Sequence, residues 1–239
     1  MLEKALKYIV GLGEAKVQTI HGDYYSDKPL THIEPHIPKA EPIRMSTLSS
    51  LITYIKSNVD VMPGMMIVHV VSPTEVHLIS QMDINRERES VVKVVANVPG
   101  FRFGSFLGHE EFLIGVQSKF IDEGDKELIL KFAGTVESGS IAEYGDDGIT
   151  QKATIKTGIA SKNEAIVPNP VKLTPFRTFV EAGQPSSQFI FRMKQDKYDG
   201  ISCALFEADG GAWVNEAMLN IKLHLMRELE GYSNFVVIS

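Results

Sequence analysis

The run MMIVHVVSPTEVHLIS, residues 65–80, constrains this chain more than any other stretch. Two segments rich in β-branched residues flank a three-residue turn, Ser72, Pro73 and Thr74. A parallel partner would need a crossover of about a dozen residues or more. The spacing therefore predicts an antiparallel pair. ESVVKVVANV, residues 89–98, reads as a third strand because of its valines. The pattern returns in the second half. IAEYGDDGITQKATIKTG reads as a hairpin turning on GDDG, residues 145–148, where Asp and Gly tolerate positive φ. VKLTPFRTFVEAG, SSQFIFRMKQ and ISCALFEA read as three successive strands with short turns. Strands joined mainly by turns predict an α+β fold with mostly antiparallel sheet, not a doubly wound one.

Helices fill the remainder. Leu2, Ala5, Leu6 and Ile9 share one face of a short N-terminal helix, ended by Gly11 and Gly13. EAKVQTI follows as a candidate strand, and residues 22–45 read as an extended arm. Leu48, Leu51, Ile52 and Ile55 form the stripe of a helix capped by Ser46. A helix pair follows on either side of Gly124: Phe112, Leu113, Val116 and Phe120 face inward on the first, and Leu128, Ile129, Phe132 and Val136 on the second, with Asp125 as cap. A long C-terminal helix covers 213–230, with Trp213, Ala217, Ile221, His224 and Leu225 along one side. NFVVIS closes the chain as a strand. The expected organisation is an N-terminal helix and arm, residues 1–45, and one α+β domain, residues 46–239.

Composition narrows the setting. With 44% hydrophobic residues in 239, a core forms without staples. One cysteine, Cys203, excludes an intrachain disulfide and fits a reducing compartment. No apolar run approaches the roughly 20 residues of a membrane span, and MLEKALKYIV lacks the hydrophobic block of a signal peptide. A cytoplasmic protein without membrane partners is expected. The net charge of −6 opposes general nucleic-acid binding, although a local basic patch can hide in an acidic total.

No nucleophile or phosphate-loop signature occurs. GLG, residues 11–13, lacks a third glycine, a preceding strand and a following helix. His32 and His36, four apart around Glu34, cannot share a helical face because Pro35 and Pro38 forbid the helix. His69 and His77 read as a cross-strand pair. Cys203 alternates with Ile201 and Leu205 and reads as a small core residue. Glu207 and Asp209, in ALFEADGGAW, fall on one strand face and could hold a metal. Asp209 also precedes two glycines and a helix, where a carboxylate caps backbone N–H groups, and that structural reading is preferred. No catalytic, cofactor or metal residue is assigned, and the chain reads as non-enzymatic.

A basic segment remains: Lys172, Arg177, Arg192, Lys194 and Lys197, interleaved with Phe176, Phe179, Phe189 and Phe191. It is the candidate nucleic-acid or assembly surface. On SSQFIFRMK, however, Phe189, Phe191 and Met193 alternate with Ile190, Arg192 and Lys194, which separates rings from charges.

The runs IVHVVSPTEVHLIS, FGSFLGHEEFLIGVQSKF, DDGITQKATIKTGIA, PNPVKLTPFRTFVEAGQPSSQFIFRMK and ALFEADGGAW resemble the YfdQ-like family of phage and prophage proteins over residues 65 to 230. The resemblance implies phage or prophage origin, a bacterial cytoplasm and a gene setting near recombination and nucleotide metabolism. It implies no activity and carries over no catalytic residue. Two readings follow. One is a homo-oligomer that self-assembles as a ring or capsid-like shell, by analogy with the arm, hairpin, long helix and antiparallel strands of the HK97 coat architecture. The other is an early accessory protein that binds single-stranded nucleic acid or a replication or recombination partner.

Overall fold

The computed structural model describes residues 2–13, 15–21, 23–26, 39–62, 64–84, 86–138, 140–146, 151–157, 161–167, 169–196 and 200–239. The chain divides into two compact units, residues 1–39 and 40–239. His32, Glu34, His36 and Lys197 lie outside the described residues, as do Asp147 and Gly148 of the expected GDDG turn.

The first unit holds α1 (Leu2–Gly13) and an antiparallel hairpin of β1 (Val17–Ile20) and β2 (Asp23–Ser26). Helix α1 runs through Gly11 and ends at Gly13, one of the two glycines expected to stop it. The arm expected over 22–45 is also corrected at both ends. Asp23–Ser26 pair with β1, and β3 (Ile43–Met45) joins a sheet of the second unit.

The second unit, an α+β body, contains three mostly antiparallel sheets. The first has the order β14-β4-β5-β6-β3. Its centre is the antiparallel meander of β4 (Met66–Ser72), β5 (Glu75–Ser80) and β6 (Ser90–Val95), turning at Pro73 and Thr74 as the sequence demands. β3 and β14 (Phe235–Ile238) flank it as parallel edges. Alternate residues Met66, Val68, Val70, Val76, Leu78, Val92 and Val94 are buried on one face. They meet Leu48, Leu51 and Ile55 of α2 (Leu48–Ser57), and Ile221 and Leu225 of α5 (Ala212–Glu228). Thr47, not Ser46, caps α2: its Oγ1 accepts the Ser50 N–H at 3.2 Å.

The second sheet has the order β11-β12-β13-β7 and is wholly antiparallel: β11 (Val171–Leu173), β12 (Ser187–Asp196), β13 (Gly200–Glu207) and β7 (Leu107–Gly108). Phe189, Phe191, Met193, Cys203 and Leu205 pack against Phe112 and Val116 of α3 (His109–Lys119) and Ile129 and Phe132 of α4 (Lys126–Ser138). Leu128, expected on the inner face of α4, is exposed, and Ala133 is buried instead. The Asp125 carboxylate takes the Lys172 N–H at 2.7 Å and so ties the start of α4 to β11. The third sheet is a meander of β8 (Ser140–Asp146), β9 (Gln151–Thr157) and β10 (Ser161–Val167). The hairpin expected from the sequence supplies β8 and β9, and β10 extends it.

The stretch VKLTPFRTFVEAG is the main correction. Only Val171–Leu173 is strand. The chain then leaves the second sheet and inserts Phe179 and Ala182 into the core of the first. Gln184 fastens the excursion: its Oε1 accepts the N–H groups of Arg177 and Thr178 at 2.9 and 3.2 Å, and its Nε2 donates to the Phe179 carbonyl at 2.9 Å. Thr178 Oγ1 donates to the Pro73 carbonyl, and Asn220 Nδ2 to that of Gly183. Backbone groups satisfied by one amide and by neighbouring elements need no ladder. No helix among the described residues is long and apolar enough to cross a membrane.

Candidate functional site

The segment ALFEADGGAW forms a corner where β13 ends and α5 begins. Gly210 and Gly211 both take positive φ, +63° and +82°, which a side chain would oppose. The Asp209 carboxylate accepts the Gly211 N–H at 3.0 Å. Partial burial pushes its pKa up. The hydrogen bonds from the Ser187 hydroxyl and the N–H groups of Gly211 and Trp213, together with the Arg177 charge, outweigh this and hold it below the usual carboxylate range.

Glu207 serves a different partner. Its Oε1 accepts from Arg177 Nη1 at 2.7 Å, and Arg177 Nη2 donates to the Ser187 hydroxyl. The guanidinium lies 4.1 Å from the centre of the Trp213 ring, 5.6 Å from Phe189 and 5.9 Å from Phe103. Its side chain is 7% exposed. Burial lowers its pKa from the ordinary value, and Glu207 and Asp209 oppose that by favouring the charged form. The two carboxylates thus hold a buried arginine and a helix entry. No group of three His, Cys, Asp or Glu side chains among the described residues is placed to bind a metal.

The basic segment is split by the fold. Arg177 is buried at the corner and is no part of an open cationic surface. Lys172, Arg192 and Lys194 share the outer face of the second sheet, because Lys172 stands opposite Gln188 in register and Gln188, Arg192 and Lys194 alternate with the buried rings. Arg192 Nη1 donates to the Phe191 carbonyl at 3.2 Å. Lys194 Nζ sits 4.6 Å from the centre of the Phe106 ring, which packs edge-on to Phe206 at 6.1 Å. Aromatic rings therefore do meet the cations, but they come from β13 and from the 101–106 loop. The signal was present as the phenylalanines of GFRFGSF, residues 100–106.

The other candidates resolve simply. His69 stands opposite His77 in the ladder, and His77 Nε2 lies 2.6 Å from Glu75 Oε1. Cys203 is fully buried, which pushes its thiol up to about 12. Such a thiol is inert in the folded chain.

Comparison of the chain with family models, with curated proteins and with solved structures found no match.

Proposed function

We propose that this is a phage- or prophage-encoded, non-enzymatic protein that self-assembles into a homo-oligomer closed as a ring or capsid-like shell. One observation carries the reading: apolar surface that stays exposed among the described residues. On α5, Leu219, Leu223 and Met226 are each at least half exposed. Their 4–3 spacing is that of a helix-packing seam. Beside them runs β14, an edge strand with Val236 and Ile238 exposed. An unpaired edge next to an apolar helical stripe is a surface that native chains cover or guard. Helix α1 adds a second stripe, Leu2, Leu6 and Ile9, and buries none of its residues within its own unit. The HK97-type architecture belongs to this proposal as an analogy, supported by the hairpin β8–β9 and the long helix α5.

Light scattering on the size-exclusion peak, with negative-stain imaging of the same fraction, tests it. A defined particle that Leu219→Glu with Leu223→Glu dissolves into monomers is the expected result. A wild-type monomer at every concentration overturns it.

The outer face of the second sheet favours a second reading, an accessory protein that binds single-stranded nucleic acid. Phe106 and Phe206 beside Lys194, with Arg192 and Lys172 on the same face, combine stacking surface and positive charge. Binding would weaken with salt and be lost in Arg192→Glu with Lys194→Glu. Absent or salt-independent binding removes this reading.

A further inference from the structure

A cleft of about 290 Å³ opens beside the Arg177 corner, lined by residues 98–101, Phe103, Lys119, Pro175, Phe176, Arg177, Glu207 and Trp213. Its walls are aromatic. Phe101 and Phe103 are committed to the core, with ring centres 5.0 to 6.3 Å from those of Phe112, Phe120 and Phe189. Phe176 and Trp213 are half-buried and make no ring–ring contact among the described residues. Trp213 carries Arg177 on one face.

The polar groups of the cleft are few and of mixed sign. Lys119 stands at its edge, its Nζ donating to the Gly100 carbonyl. Glu207 offers the Oε2 that the Arg177 pairing leaves over. Arg177 contributes its charge: both terminal nitrogens of the guanidinium are bonded, and its Nε, without a hydrogen-bond partner among the described residues, is sealed from the cleft.

These features select among ligands. A purely aliphatic ligand would make no use of Lys119 or of the free Glu207 Oε2. A cation would face Lys119 and Arg177. A bare phosphate would meet the Glu207 carboxylate and gain nothing from the rings. A planar group with donors on its edge, carrying an anion, uses every wall: rings to stack on, the Glu207 carboxylate as acceptor, and a cation for the anion. We propose that this cleft binds a nucleotide. The base lies against Phe176 and Trp213, its edge donates to the Glu207 carboxylate, and its phosphate meets Lys119. The nucleotide is either free or an unpaired unit of a single strand. This site is distinct from the outer face of the second sheet and does not depend on self-assembly.

Trp213 is the only tryptophan, so its fluorescence reports directly on the cleft. The full chain is titrated with the four ribonucleoside monophosphates, with ribose 5-phosphate, and with a short oligouridylate strand, exciting on the red edge of the indole band. The expected result is saturable quenching by at least one monophosphate below about 1 mM, with none from ribose 5-phosphate. Phe176→Ala should weaken it about tenfold or more, and Lys119→Glu should weaken it too, both in chains whose circular dichroism is unchanged. The Arg192→Glu, Lys194→Glu variant keeps this binding, which separates the cleft from the outer face. A strand bound at least about tenfold tighter than its monophosphate identifies the single strand as the source, and equal affinity identifies the free nucleotide. No saturation by any monophosphate or by the strand overturns the proposal. So does equal quenching by ribose 5-phosphate, or binding indifferent to both cleft variants.

Discussion

The body of this protein has two cores built from different materials. The five-stranded sheet packs valine, leucine, isoleucine and methionine against α2 and α5. The four-stranded sheet packs Phe189 and Phe191 against Phe112 of α3, Phe120 at its end and Phe132 of α4. Aliphatic side chains interlock by volume and have little orientational preference. Rings also hold one another by edge-to-face geometry: Phe132 meets Phe191 at 88° with centres 5.8 Å apart. The aliphatic core meets the surface at a cleft of about 280 Å³ lined by Tyr54, Met62 and Met66. The aromatic core reaches the surface, and there it supplies Phe101 and Phe103 to the nucleotide cleft. A core of directional contacts can extend into a recognition surface, because its outermost members are already fixed in place.

The sharpest test of that contrast replaces rings and aliphatic chains in turn. Phe191→Ala should cost about 3–5 kcal/mol, by cavity and lost ring contacts. The near-isosteric Leu78→Met should cost less than about 1.5 kcal/mol. Urea midpoints at constant slope measure both. Equal costs for Phe191→Leu and Leu78→Met would erase the distinction between the cores.

Phe179 links the two cores, since it departs from the second sheet and is buried in the first. Phe179→Ala should cost about 3 kcal/mol or more and split one calorimetric transition into two. A single transition at lower temperature would show that the cores are coupled elsewhere. A smaller effect probes the aliphatic core at its edge. Thr47→Ala removes the side-chain acceptor at the start of α2 and should cost about 1 kcal/mol, with Thr47→Ser restoring most of it.

The smallest expected effect is that of pH at the open end of the aromatic core. Asp209 has its folded pKa held below the ordinary carboxylate value. The stability it contributes is therefore complete above that ordinary value and fades as the pH falls through the lower, folded one. Asp209→Asn should flatten this acid limb of the stability profile and leave the neutral limb parallel to wild type. An unchanged acid limb would show that the carboxylate has no stabilising partners. Tyr54 gives the opposite sign in the aliphatic half. Burial, then its 2.5 Å hydrogen bond to Asp60 and the charges of Asp60 and Glu89, raise it to about 12. Its contribution is present below pH 10, the ordinary phenol value, and is lost as the pH rises towards 12. Tyr54→Phe should remove that alkaline limb.

Local chemistry alone determined the strand meander around Pro73, the stripe of α2, the alternation of β12 and the glycine corner before α5, since each depends on periodicity or on φ within a few residues. Cys203 as a core residue and Asp209 as a receiver of backbone N–H groups were legible for the same reason. Tertiary structure alone decided the rest. The segment after Leu173 reads as a strand by composition, yet Phe179 finds a better burial in another core, and the Gln184 amide supplies the hydrogen bonds that a ladder would have given. Arg177 is one more cation in a basic segment by sequence, yet Glu207, Ser187 and Trp213 close around it from other parts of the chain. The parallel edges β3 and β14 and the meeting of Phe106 with Lys194 are likewise long-range. No window of sequence contains both partners of such a contact, so only the folded chain reveals what each group meets.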